Sequence, residues 1–406
     1  MTIRQFLIGA LTGATTIVAA LAPAIGARAE SCPNRPPFDG WLSQFRQDAA
    51  AAGVPDRAIA ALDGLTYDPR VIARDRGQGV FQQSFLQFSD RMVSADRLQR
   101  GGRFIKQEAA TFARITETYG VPAPVLVALW GLETDFGANM GNMPTLRSLA
   151  TLAYDCRRPD MFRTELLDAL KIIANGDLTP DQMRGAWAGE LGQFQFMPSY
   201  YLAYAVDEDG DGRRDLLHSR ADALASAANL LAARGWRRGE PWLVEVNVPA
   251  DLDWREADLS IKHPQSIWAE WGITLPNGRP LPQSELEASL LLPLGRMGPA
   301  FLAYDNFGVF MKWNKSLVYS TTAAYLATRL AGAPPIGRGR GEVVPLNPRD
   351  MAELQRLLAV RGFDGGPLDG KLGLATRAAV RAAQLRYGLP ADSYPTPELL
   401  ERLRQP

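Results

Sequence analysis

Histidine is the scarcest chemically versatile residue in this chain: His218 and His263 alone occur among 406 residues. A Ser-His-Asp triad or a Cys-His pair needs an imidazole as its base, so both have almost nothing to draw on. Zinc sites built from His and Cys are equally poorly supplied. Cysteine is as sparse, with only Cys32 and Cys156, and neither sits among residues that would make it a nucleophile. An isolated pair in an oxidising compartment reads as one disulfide, and a long loop is where such a link most constrains the unfolded chain. The alternative is two unrelated buried thiols, since sequence does not show whether their Cα atoms approach. Neither charge is in excess, with Lys+Arg and Asp+Glu both 44. A nucleic-acid binder shows a basic surplus, so no nucleic-acid partner is expected. Carboxylate chemistry is what remains.

Long apolar runs are missing beyond the N-terminus. There, Arg4 precedes an apolar stretch from Phe6 to Ile25, and Ala27-Arg28-Ala29 supplies a small-x-small cleavage site. Residues 1–29 therefore read as a signal peptide, with an uncleaved anchor as the alternative. The expectation is a periplasmic protein with no stable membrane span after cleavage, acting as a monomer.

Residues 37–335 are rich in three- and four-residue apolar spacing, which predicts helices over Trp41–Ala52, Arg103–Tyr119, Ala123–Glu133, Met161–Ile173 and Ala221–Ala233. Trp242–Val248 alternates instead, as a strand does, and marks a small β insertion. Gly332–Asn347 concentrates Gly, Pro and Arg without periodicity, which predicts a flexible linker over 336–346. The last stretch, 347–406, forms a second small unit with helices at Pro348–Arg361 and Leu374–Tyr387.

Three constellations could carry chemistry. In the first, the apolar run Val125–Leu132 ends on Glu133, shortly before Gly137. Apolar neighbours disfavour the ionised carboxyl and raise its pKa, and a helix C-terminus pushes the same way; a carboxyl kept protonated can act as an acid. In the second, Trp187–Tyr201 mixes glycine, amide and aromatic residues, as a sugar groove would; Glu190 lies within it as a candidate partner carboxylate. In the third, Asp207, Asp209 and Asp211 with Gly212 open like a calcium loop, but position 12 is His218 rather than glutamate, so Asp222 is the candidate closing ligand.

Taken in order, Trp130-Gly131-Leu132-Glu133-Thr134-Asp135-Phe136-Gly137, Trp187-Ala188-Gly189…Gly192-Gln193-Phe194-Gln195-Phe196-Met197-Pro198-Ser199, the Asp207–Asp215 loop and Lys312-Trp313-Asn314-Lys315-Ser316…Tyr319 resemble the lytic murein transglycosylase B family. The C-terminal unit, with Gly362-Phe363, Leu368-Asp369-Gly370 and Tyr387-Gly388-Leu389, resembles the small peptidoglycan-binding domain. The resemblance implies a mainly α, lysozyme-like catalytic domain over 30–335 and a three-helix domain over 347–406. It implies peptidoglycan glycan strands as substrate and no required cofactor, with calcium as an optional structural ion. It makes Glu133 the acid and then the base in a cleavage that yields 1,6-anhydromuramoyl ends. Gln195, Asn314 and Tyr319 match substrate-groove positions. Trp313 and Phe88 stand where the family more often has Tyr, keeping the ring and losing the hydroxyl. The spacing to Asp222 is one residue longer than usual. A hydrolytic muramidase and a non-catalytic wall-binding scaffold are the competing expectations.

Overall fold

Amphipathic and wholly apolar segments between residues 38 and 330 fold into helices around one core. Phe38–Ala51, Ala123–Thr134, Pro159–Asn175 and Arg220–Ala233 are helical where the apolar spacing predicts them. The computed structural model describes residues 35–77 and 83–405. The signal segment and Cys32 lie outside the described residues, and with Cys32 goes the test of its expected link to Cys156. Arg103–Tyr119 is not one helix. Ala95–Gln107 and Ala109–Tyr119 meet at Glu108, whose φ of −99° and ψ of 24° leave the helical basin. No glycine or proline marks that break in the sequence.

The helix Ala123–Thr134 is the core's centre. Val125 through Gly131 are all buried, as a helix without a polar face requires. It packs on Ala95–Gln107 and on Leu317–Leu330. Gly101 permits this closeness: a Cβ there would lie 2.8 Å from Leu330 Cδ2 and 3.0 Å from Val127 Cγ1.

The alternating segment pairs as a strand over Leu243–Val246. It borders an antiparallel four-stranded sheet, next to Ala300–Tyr304, then Glu287–Leu291, then His263–Pro264. Trp268, Leu290 and Leu302 centre a second, smaller core on this sheet. Ala300–Tyr304 runs directly into the helix Asp305–Trp313, which carries Trp313 toward the main core.

Three helices, Pro348–Val360, Leu374–Arg386 and Pro397–Arg404, close the C-terminal domain over Leu354, Leu358, Val380 and Leu399. The fold class is thus mainly α with a small β insertion and a terminal three-helix domain, as the sequence implied.

The connection between the domains differs from expectation. Its composition predicts a free linker, yet Gly337 N donates to Glu245 Oε1 (2.6 Å) and Arg340 N to Met297 O (2.9 Å). Arg340 also donates to Arg296 O and Val248 O, and its guanidinium covers the Trp254 ring. Beyond it the three-helix domain is docked. The buried Arg377 donates to Leu292 O (3.3 Å) and Pro293 O, and Ser393 Oγ donates to Asp258 Oδ2. Specific partners for the arginines, which composition cannot show, turn the linker into a strap.

Candidate active site

The end of the central helix is shaped by three successive residues with positive φ: Asp135 (52°), Phe136 (64°) and Gly137 (84°). Non-glycine residues in that region store strain, which persists only where the surroundings impose it. Here they do. Arg100 Nη1 donates to Asp135 Oδ2 (2.8 Å), Arg100 Nη2 to Asp135 O (3.0 Å), and Arg97 to Asp135 Oδ1 (3.3 Å). Burial raises the Asp135 pKa, but these arginines outweigh it and hold the carboxyl below its usual range. The Phe136 ring lies edge-on to Trp130, and a Cβ at Gly131 would sit 2.9 Å from that ring. Only glycine fits there.

Thr134 joins this turn to the Gly/amide/aromatic loop. Its hydroxyl donates to Gln193 O (2.7 Å) and accepts from Gly137 N (2.9 Å). Sequence reasoning passed over Thr134, Arg97 and Arg100. The regular spacing of Arg97 and Arg100 on one helix could have flagged a shared acceptor.

Glu133, half-buried, projects from this helix end. Trp313 Nε1 donates to its Oε1 (2.8 Å), and the Tyr319 hydroxyl donates to the same oxygen (2.5 Å). Burial is the largest influence and raises the Glu133 pKa; the two donors oppose it, and the neighbouring Glu190 carboxyl adds to the rise. The outcome is a carboxyl held above its usual range. Burial and the Glu133 charge together push the Tyr319 phenol far up, so it stays a donor. Both donors converge on Oε1 and leave Oε2 clear of them. Trp313, expected to lack a tyrosine's hydroxyl, still supplies a donor through its indole N–H.

The other expected groove residues are placed unequally. Gln195 has a positive φ of 53°, and its amide donates to Gly192 O (3.0 Å) and Met140 O (3.2 Å), which fixes the side chain. Asn314 Oδ1 accepts from Ser316 N (2.9 Å), so its carbonyl side serves the start of the next helix. Phe88 is 8% exposed, with the Arg91 guanidinium 5.5 Å from its ring centroid, and offers little face for a sugar. Glu190 is pushed up by burial, and its Oε2 is buried without a hydrogen-bond partner among the described residues.

In the acidic loop, ligand oxygens of Asp207, Asp209 and Asp211 lie within 4.8 Å of one another. Asp222 is not the fourth member. It is wholly buried, and its carboxylate accepts from Glu208 N, Asp209 N and Asp215 N. It anchors the loop from beneath, because its position on the helix Arg220–Ala233 aims it at backbone amides. Three carboxylates suit a hard cation such as calcium, whose remaining oxygen ligands carbonyls or water can supply.

Residues 37–328 match the transglycosylase SLT domain, and residues 347–403 match a peptidoglycan binding domain. The chain is 31% identical over 249 residues to membrane-bound lytic murein transglycosylase B of Escherichia coli, covering 61% of this chain and 68% of that protein. It superposes on SltB3 of Pseudomonas aeruginosa in complex with NAG-anhNAM-pentapeptide with a TM-score of 0.84, at 44% identity, covering 91% of this chain and 99% of that one. Escherichia coli Slt35 in complex with calcium is similar at a TM-score of 0.61 and 29% identity, covering 71% of this chain and 92% of that one. The fold and these matches define a glycan-cleaving enzyme of lysozyme-like architecture. The chain belongs to the SLT-domain transglycosylase family, as a lytic transglycosylase with an additional C-terminal domain.

Proposed function

We propose that this enzyme cleaves the β-1,4 bond between N-acetylmuramic acid and N-acetylglucosamine in peptidoglycan without consuming water, with Glu133 as acid and then base. The observation that carries this is the convergence of Trp313 and Tyr319 on Glu133 Oε1 in an apolar setting. A protonated Oε2 gives its proton to the glycosidic oxygen as the C1–O4 bond breaks. The resulting carboxylate, steadied by the two donors, takes the proton from the muramoyl O6 hydroxyl as that oxygen bonds to C1. Glu133 ends protonated and the product carries a 1,6-anhydro ring. Gln195 and Trp313 are the groove residues in this reading, with Asn314 at the edge; the buried Phe88 is not counted among them.

Mass spectrometry of products from purified walls tests the scheme, since an anhydro end is one water lighter than a hydrolysed one. Hydrolysed ends throughout would refute it. They would favour the muramidase reading, for which Glu190 beside Glu133 would be the second carboxylate.

Three further readings accompany this one. Residues 1–29 direct export to the periplasm and are removed, as their charge, apolar run and cleavage site favour. Cys32 and Cys156 then pair, which non-reducing peptide mapping reads directly. Asp207, Asp209 and Asp211 hold a structural calcium ion, a reading supported by their clustered oxygens.

A further inference from the structure

A cavity of about 830 Å3 lies between the β insertion, the helix Asp305–Trp313 and the three-helix domain. That volume is in the range of ligand sites. Leu374 and Arg377 of the three-helix domain share its wall with Lys262, Asp305 and Gly308 of the catalytic domain, while Glu133, Trp313, Tyr319 and Gln195 are not in it. Domain seams of this kind are preferred places for ligands.

Its chemistry is unlike a sugar groove. The only aromatic residues on the wall are Tyr304 and Phe307, 4% and 2% exposed, so neither offers a stacking face. Charge of both signs is present instead. Lys262 pairs with Asp305, Arg237 pairs with the same Asp305 and more loosely with Glu240, and the two cationic side chains stay 42% and 56% exposed. Asp258, which accepts from Ser260 and Ser393, supplies the opposite sign. Between these groups the wall is aliphatic, and Leu374 remains 45% exposed.

We propose that this cavity binds a short peptide carrying carboxylate and ammonium groups and small apolar side chains, namely the peptide stem of the wall polymer. The proposal rests on the peptidoglycan reading above. The wall stem has that chemistry: alanyl methyl groups, free carboxylates and an amine. The cavity would hold a stem while the glycan occupies the cleft at Glu133, so strands bearing stems would be gripped at two places.

Gly308 offers a clean test. A Cβ at this helical position would meet nothing within 4 Å, so a larger side chain there enters the cavity without clashing at its root. The full-length protein is titrated with a sugar-free wall pentapeptide. Wild type and Gly308→Ala should bind alike, and Gly308→Phe should bind about tenfold more weakly or worse, a loss of ~1.4 kcal/mol. Lys262→Glu, a second variant independent of packing, should lose about two- to fivefold. On stem-bearing strands Gly308→Phe should raise KM with kcat unchanged, and on stem-free glycan it should match wild type. Wild-type peptide binding by Gly308→Phe, or no binding by wild type, overturns the proposal. Failure of wild type to cleave any glycan, with peptide binding intact, would instead refute the transglycosylase reading and leave the cavity's assignment standing.

Discussion

Two opposed influences meet on Glu133. Burial favours its neutral form, and Trp313 and Tyr319 favour its anion, so neither protonation state is out of reach. Glu133→Gln should lower strand cleavage by at least about 10²–10⁴-fold while preserving wall binding, as release of soluble muropeptides will show. It should also stabilise the fold at neutral pH. A carboxyl whose pKa is raised on folding contributes fully below its unfolded value of about 4.3, and that contribution is lost as pH rises through the folded value. The melting-temperature gain of the glutamine variant should therefore be present near pH 7 and vanish toward pH 4. Tyr319→Phe removes one donor to the anion, so Glu133 should titrate higher still. The descending alkaline limb of the kcat/KM profile should move to higher pH, with activity reduced about tenfold. Glu133 stood out in sequence as a candidate acid because an apolar run ended on it. Its donors' role was not, since Trp313 and Tyr319 lie 180 and 186 residues away and composition carries no distances.

At the scale of elements, the periodic helices were readable because each buries one face or all of itself. The strained turn after Glu133 was not, since two of its three positive-φ residues are not glycine. Arg97 and Arg100 impose that geometry from another helix, and the adjacent Thr134 ties the turn to Gln193. The acidic loop is a similar case. Spacing brought Asp207, Asp209 and Asp211 together as candidate ligands, but it could not show that Asp222 lies wholly buried beneath the loop, turned to its backbone amides and outside that cluster. Asp222→Asn should thus loosen the loop even without metal, lowering the apo melting temperature. Adding calcium to wild type should raise its midpoint, by an increment that grows with concentration. An unchanged midpoint would remove the ion from the account.

For the whole molecule, the decisive contact is Arg377, buried against the carbonyls of Leu292 and Pro293. Burial lowers its pKa to about 10, still well above neutral, so it remains charged there. Arg377→Ala would leave Pro293 O without this donor and Leu292 O with only Gly295 N, and should cost about 1–3 kcal/mol. Calorimetry should then show the three-helix domain melting in a separate transition, which the wild type should not. The sequence could name both domains because each closes its own core; it could not show them joined, because the joint is made by a few side chains such as Arg377, Asp392 and Ser393.

The strap over 336–346 has a consequence for how this chain tolerates change. Gly/Pro/Arg-rich stretches between domains are ordinarily where insertions, fusions and nicks do least harm. Here Gly337 and Arg340 are hydrogen-bonded to Glu245 and Met297, and a Cβ on Gly339 would fall 2.3 Å from Met297 O. The joint that looks most editable on paper is one of the places where extra residues would be least welcome.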